Sequence, residues 1–218
     1  MSLTRDQITA RVRVNLNEEG VTFYSANDLN DSVQDAYHDV VSIARTIEST
    51  ATVNFAANLS YYDLSSEISD YLHVIGIYNN TTSKWLDYIS LKLLQELDAK
   101  WETKNGNAKY FTVLDDSYIA IFPKPSTATG SMLVVYKAFA DTLGAAGVPI
   151  IPEMHETVLE KYVTMDLLEQ QEEFTKAMMW FEDYRIELLA LKQQMDNRNT
   201  VDRIMILQAT GLVPSNGR

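Results

Sequence analysis

The stretch from Ile151 to Met195, IPEMHETVLEKYVTMDLLEQQEEFTKAMMWFEDYRIELLALKQQM, restricts the possible folds more than any other. Pro152 presets φ for a first helical turn, Glu153 and Glu156 set negative charge at the positive end of the macrodipole, and no Gly or Pro follows before Gly211. The pattern predicts one long helix over 152–196. From Phe174 onward, Phe174, Ala177, Phe181, Tyr184, Leu188, Leu191 and Met195 step by three and four, which keeps an apolar seam on one side of a helix. Met154, Val158, Tyr162, Met165 and Leu168 form a second stripe, and Met179, Trp180, Ile186 and Leu189 widen the apolar surface further. A helix apolar over so much of its circumference packs on more than one side. Its first half is expected to pack inside the subunit against Leu29 to Ile47. Its second half, through Phe174, Met178, Phe181, Tyr184, Leu188, Leu191 and Met195, is expected to meet a neighbouring subunit.

Upstream, Thr4 with Gln7 forms a capping-box pattern ahead of Ile8, Val12 and Leu16, which predicts a helix over 5–16. Ser25 with Asp28 repeats that signal before Leu29, Val33, Ala36 and Val40, which predicts a helix over 26–48, with Phe23 or Tyr24 placed to staple its first turn. Past Ser49 the period turns strand-like over Thr52–Phe55 and Tyr71–Tyr78, and Asn79 to Thr82 reads as a turn. Trp85 to Trp101 fits a helix through Leu86, Ile89, Leu93 or Leu94, and Leu97. Tyr110–Leu114, Tyr118–Phe122 and Met132–Phe139 then read as three strands, for which an antiparallel meander is the default. The expected class is α+β, mainly α: a helical bundle of amino- and carboxy-terminal helices with an antiparallel β-rich insert over 50–140. Residues 1–198 are expected to form a single domain, and 199–218 a carboxy-terminal arm opened by a break at Asn197-Arg198-Asn199.

Cysteine is absent, which removes thiolate nucleophiles and thiolate metal ligands, and there is no phosphate-binding glycine loop and no Gly-x-Ser-x-Gly turn. The Asp35/His38 and Asp70/His73 pairs have metal-ligand spacing, but each reads better as a solvated edge or a strand start. His155 reads as a surface or interface histidine, and the carboxylates from Glu169 to Glu187 as a solvated face, with Glu172 and Lys176 spaced for an i,i+4 pair. No catalytic, cofactor or metal residue is therefore assigned. The net charge of -12 disfavours binding to phosphate backbones or anionic membranes, and no apolar run approaches membrane-spanning length. The first residues, MSLTRDQITARVRV, interleave arginines among the apolar ones and do not read as a secretory signal.

The order of segments carries a resemblance that no catalytic motif does. ITARVRVNLNE, FYSANDLNDSVQDAYHDVVSIA, YYDLSSEI, YIAIFPKPS, LVVYKAFADTL and IPEMHETVLEKYVTMDLL, in that order over roughly residues 5 to 195, resemble the head-to-tail adaptor (connector) proteins of tailed bacteriophages. The matches at Ile151-Pro152-Glu153-Met154-His155 and Phe122-Pro123-Lys124-Pro125 are the closest. The resemblance implies a structural virion protein at the head-tail interface, assembled in the host cytoplasm. It implies a ring of copies, commonly twelve, bound to the portal protein, with tail or nozzle proteins below and double-stranded DNA passing through without specific binding. It also implies that the segment carrying Val201, Ile204, Met205, Leu207 and Leu212 is a portal-docking arm. Another tail-completion protein, or a helical regulatory or scaffold module, is the alternative.

Overall fold

A computed structural model of the chain describes residues 2–18 and 23–209, with the backbone alone from 199 onward. In chain order the elements are α1 (Arg5–Asn15), α2 (Ala26–Ala44), β1 (Glu48–Asn54), β2 (Tyr61–Asp63), α3 (Leu64–Glu67), β3 (Tyr71–Asn79), β4 (Lys84–Trp85), β5 (Asp87–Tyr88), α4 (Leu91–Leu97), β6 (Tyr110–Val113), β7 (Tyr118–Phe122), β8 (Ser131–Ala138), α5 (Thr157–Gln170) and α6 (Phe174–Ala209). The class is α+β. The chain divides into two compact units, one of Met1–Thr46 with Ala140–Arg218 and one of Ile47–Phe139. The β-rich segment has a buried core of its own.

In the helical unit both capping boxes form. The Thr4 hydroxyl accepts the Gln7 N–H at 3.3 Å and the Gln7 side chain accepts the Thr4 N–H at 2.9 Å; Ser25 and Asp28 do the same at 3.2 and 2.9 Å. Tyr24, rather than Phe23, is buried beside the second helix start, and its hydroxyl donates to the Leu167 carbonyl. α2 ends at Ala44, short of the expected 48, because Arg45 takes a left-handed φ of 54° and closes the last turn onto the Val41 carbonyl at 2.7 Å. α5 packs on α1, α2 and α6, and its inward face, Val158, Leu159, Val163 and Leu167, is fully buried.

The single long helix expected over 152–196 is two helices. After α5, Glu172 takes a left-handed φ of 61°, the Glu173 N–H donates to the Leu168 carbonyl at 3.0 Å, and the Glu172 N–H donates to the Glu169 carbonyl at 2.9 Å. Those two bonds are a Schellman termination built without glycine, and the Glu173 carbonyl then accepts the Lys176 and Ala177 N–H groups that open α6. Lys176 accordingly pairs with Glu173 at 3.3 Å. At the far end, the expected break at 197–199 is absent and α6 runs on through Ala209. An interior Asn costs a helix well under 1 kcal/mol relative to Ala, so three polar residues without Gly or Pro do not stop it.

The strand unit is a sandwich of two four-stranded sheets, ordered β1-β8-β3-β4 and β2-β7-β6-β5. Val53, Ile77, Met132 and Val134 from the first sheet share one core with Phe111, Ile119 and Ile121 from the second. The expected meander holds only for β6 and β7. β8 crosses to the first sheet and lies between β1 and β3, with Met132, Val134, Tyr136 and Ala138 turned into the core. Only a strand with partners on both sides satisfies its ladder on both edges, and that long-range pairing is invisible to local periodicity. The helix expected over 85–101 shrinks to α4, because the N–H groups of Leu86, Asp87 and Ile89 donate to the Ile77, Lys109 and Phe111 carbonyls at 2.8 to 2.9 Å. The β5–β6 pair is parallel.

Candidate functional site

α6 carries the candidate site on its own surface. At about 100° per residue, Ala177, Tyr184, Leu188, Leu191 and Met195 fall on one side, and all are buried, at 7% exposure or less. That side packs against α2 and α5. The Tyr184 hydroxyl donates to the Asp39 carboxylate of α2, and the Tyr162 and Tyr184 rings meet edge-on at 5.3 Å. Burial first, and the Asp39 carboxylate second, push the Tyr184 phenol upward. Tyr24 is pushed up to about 12 by burial and then by Glu18 and Asp166. Both phenols therefore stay protonated as hydrogen-bond donors through the physiological range and tie α6 and α5 to the rest of the unit.

Around the helix from that buried side lie Phe174, Met178 and Phe181, exposed by 64, 60 and 39%, followed by Met179, Ile186 and Leu189 at 58% or more. These six residues form an apolar band along about four turns of α6, crossed midway by the exposed Glu182–Arg185 pair. Over the first two turns the band dips into an open depression lined by Phe174, Thr175, Met178, Met179 and Glu182. The charges nearest it are already paired along the helix, Glu182 with Arg185 at 2.8 Å and Glu173 with Lys176 at 3.3 Å. Such exposed pairs contribute under about 1 kcal/mol each. Association at this surface would draw its free energy from apolar burial instead.

The seven seam residues thus have two fates. Tyr184, Leu188, Leu191 and Met195 are occupied by their own subunit and have no surface left for a neighbour, while Phe174, Met178 and Phe181 remain available. Met179, Ile186 and Leu189, which sequence reasoning counted only as extra apolar surface, belong with the available set. Of the expected arm, Val201, Ile204, Met205 and Leu207 fall on the continued backbone of α6. Their side chains, and Leu212 entirely, lie outside the described residues.

The remaining candidates scatter. His155 is buried, not a surface group, and one ring nitrogen lies 2.8 Å from the Gln194 side-chain oxygen, which closes α6 onto the start of α5. His38 is exposed on α2, and Asp70 accepts the Tyr136 hydroxyl at 2.8 Å. Among the described residues no group of three or more His, Asp or Glu side chains is placed to hold a metal ion, and no helix is long and apolar enough to cross a membrane.

The model of the SU10 adaptor protein family matches residues 3–205. The chain belongs to that family. It is a phage head-tail adaptor, as the segment order implied, and the match takes in both units together with α6 almost to its end. Adaptors of this kind join phage structural partners such as portal and tail proteins. No curated protein matches the chain.

Proposed function

We propose that this adaptor is a structural, non-enzymatic virion protein whose copies close into a ring, twelve-fold by the family pattern, beneath the portal. The ring extends the DNA channel and presents a platform for tail or nozzle proteins. The observation that carries the reading is the exposed band of Phe174, Met178, Phe181, Met179, Ile186 and Leu189 on a helix whose opposite side is already buried. A ring needs each subunit to show its neighbour a face its own fold does not use, and the band is such a face. The net charge of -12 suits a conduit through which DNA slides without adhering. Residues 199–218 form the arm that meets the portal, with the apolar positions Val201, Ile204, Met205, Leu207 and Leu212 as its contacts.

Electron microscopy of the adaptor mixed with the portal from its own genome tests this directly. A ring of added density on the narrow end of the portal is expected, and deletion of residues 199–218 should abolish that density while circular dichroism remains that of the folded chain. A bare portal with the full-length chain would overturn the ring, and would favour a tail-completion protein acting elsewhere. Unchanged association after the deletion would overturn the arm alone.

A further inference from the structure

The chain crosses between the two sheets at both sides of the sandwich, from β4 to β5 and from β1 to β2. The chain passes from β4 in the first sheet to β5 in the second through Leu86, and backbone bonds from Leu86 to Ile77 and from Asp87 to Lys109 seal that side. On the opposite side the sheets end in β1 and β2. β2 is three residues long and leads straight into α3, whereas β1 has seven residues and pairs on one side only, with β8, in a register unbroken from Glu48↔Lys137 to Asn54↔Ser131.

Two bonds set the phase of that ladder. The Ala138 N–H donates to the Ile47 carbonyl, and the Phe55 N–H donates to the Gly130 carbonyl, each at 3.1 Å. Odd-numbered residues of β1 therefore exchange bonds with β8, and the even-numbered ones turn both backbone groups outward. Thr50 and Thr52 are the central pair of these, their side chains are exposed, and among the described residues no group meets their outward N–H or C=O. Natural edges of this length are blunted by Pro, Lys, a bulge or a covering loop. β1 has no Pro, no Lys and no bulge, and its one charge is Glu48 at the end.

We propose that the free edge of β1 docks an extended strand of a different polypeptide, one that brings a Lys or Arg opposite Glu48. The backbone groups of Thr50 and Thr52 supply the pairing, as in strand addition to an open sheet. Charge selects the occupant. The Glu48 side chain keeps 39% of its exposure although Lys137 sits 2.7 Å away, and the chain as a whole carries -12. A second copy of β1 laid antiparallel about Ala51 would set Glu48 against Asn54 and bring no cation. A basic segment meets both the carboxylate and the surrounding field.

The test is amide exchange measured by NMR on the full chain, with a heptapeptide of alternating valine and threonine flanked by lysines as the probe. Thr50 and Thr52 amides, fast in the free chain, should slow about tenfold or more on saturation, while the ladder-bonded amides of Ala51 and Val53 stay unchanged. Thr52→Pro removes an outward N–H without touching the β8 ladder, so the variant should fold and lose the effect. Thr52→Lys, which keeps the backbone, should lose it too. Glu48→Gln should weaken the peptide about threefold, and a probe flanked by glutamates should not protect. Unchanged exchange at about 5 mM peptide, or protection of Thr50 in the two Thr52 variants as strong as in the parent chain, would overturn the proposal. Protection that grows with protein concentration in the absence of peptide would assign the edge to a second copy and overturn it as well.

Discussion

The split seam of α6 makes a prediction with two opposed halves. Leu191 is fully buried, and Leu191→Ala deletes three carbons from the α2/α5/α6 contact. At about 0.8 kcal/mol per buried methylene this removes ~2.4 kcal/mol, and the cavity left behind raises the loss to about 3 kcal/mol. With a urea dependence of about 2 kcal/mol per molar, the unfolding midpoint should fall by ~1.5 M. Met178, on the other side of the same helix, is 60% exposed. Met178→Asp deletes little buried surface, so its midpoint should move by no more than ~0.25 M, the half kcal/mol typical of surface positions. The order reverses in assembly. Met178→Asp, and likewise Phe181→Asp, should abolish added density on the portal, whereas Lys192→Asp, which loses only an exposed pair with Asp196 at 3.4 Å, should assemble normally. Urea titrations followed by circular dichroism and electron microscopy with portal read the two halves separately. A Leu191→Ala shift below about 0.5 M, or Met178→Asp and Lys192→Asp assembling equally well, would refute the division of the seam.

Three further outcomes follow from local geometry. Glu172→Gly should raise thermal stability by about 0.5–1 kcal/mol, because Glu172 holds a left-handed φ of 61° that costs a side chain more than it costs glycine; a calorimetric melting point at or below that of the parent chain would contradict it. Gly130→Ala should destabilise the sandwich by roughly 1–2 kcal/mol, since Gly130 sits at φ +102° and an added Cβ would lie 2.0 Å from the Thr81 hydroxyl, as chemical denaturation can check. In alkali, the raised phenols of Tyr24 and Tyr184 mean that their contribution is complete below the unfolded value of 10.0 and declines above it, as the unfolded chain ionises first. Stability measured between pH 9 and 11.5 should therefore drop above about 10, and Tyr184→Phe should flatten the drop while costing about 1 kcal/mol at neutral pH.

Legibility in the sequence tracked the range of the interactions involved. Both capping boxes were readable because each is a contact over three residues, Thr4 to Gln7 and Ser25 to Asp28. The strands at Tyr118–Phe122 and Ser131–Ala138 were readable as strands but not as members of different sheets, since the choice between neighbours is made by residues tens of positions away. Trp85 to Ile89 misled because a helical spacing of leucine and isoleucine was overridden by backbone bonds to Ile77, Lys109 and Phe111. The turn at Gln171–Glu173 had no glycine to announce it; its only signal was a run of polar residues, EQQEE, between two apolar stripes of different phase.

By itself the sequence determined that the chain alternates helical and strand-forming segments, that it holds no cysteine, no phosphate-binding glycine loop and no Gly-x-Ser-x-Gly turn, and that its carboxy-terminal third presents more apolar surface than one contact consumes. Which of those apolar residues are consumed was decided by the tertiary structure alone. Periodicity places Phe181 and Leu188 in the same seam, but whether a side chain on a helix is buried depends on how far its partners reach around the cylinder. α2 and α5 cover Tyr184, Leu188, Leu191 and Met195 and stop short of Phe174, Met178 and Phe181. That limit is set by the crossing of three helices and the turn at Glu172, neither of which is encoded within any single helical repeat.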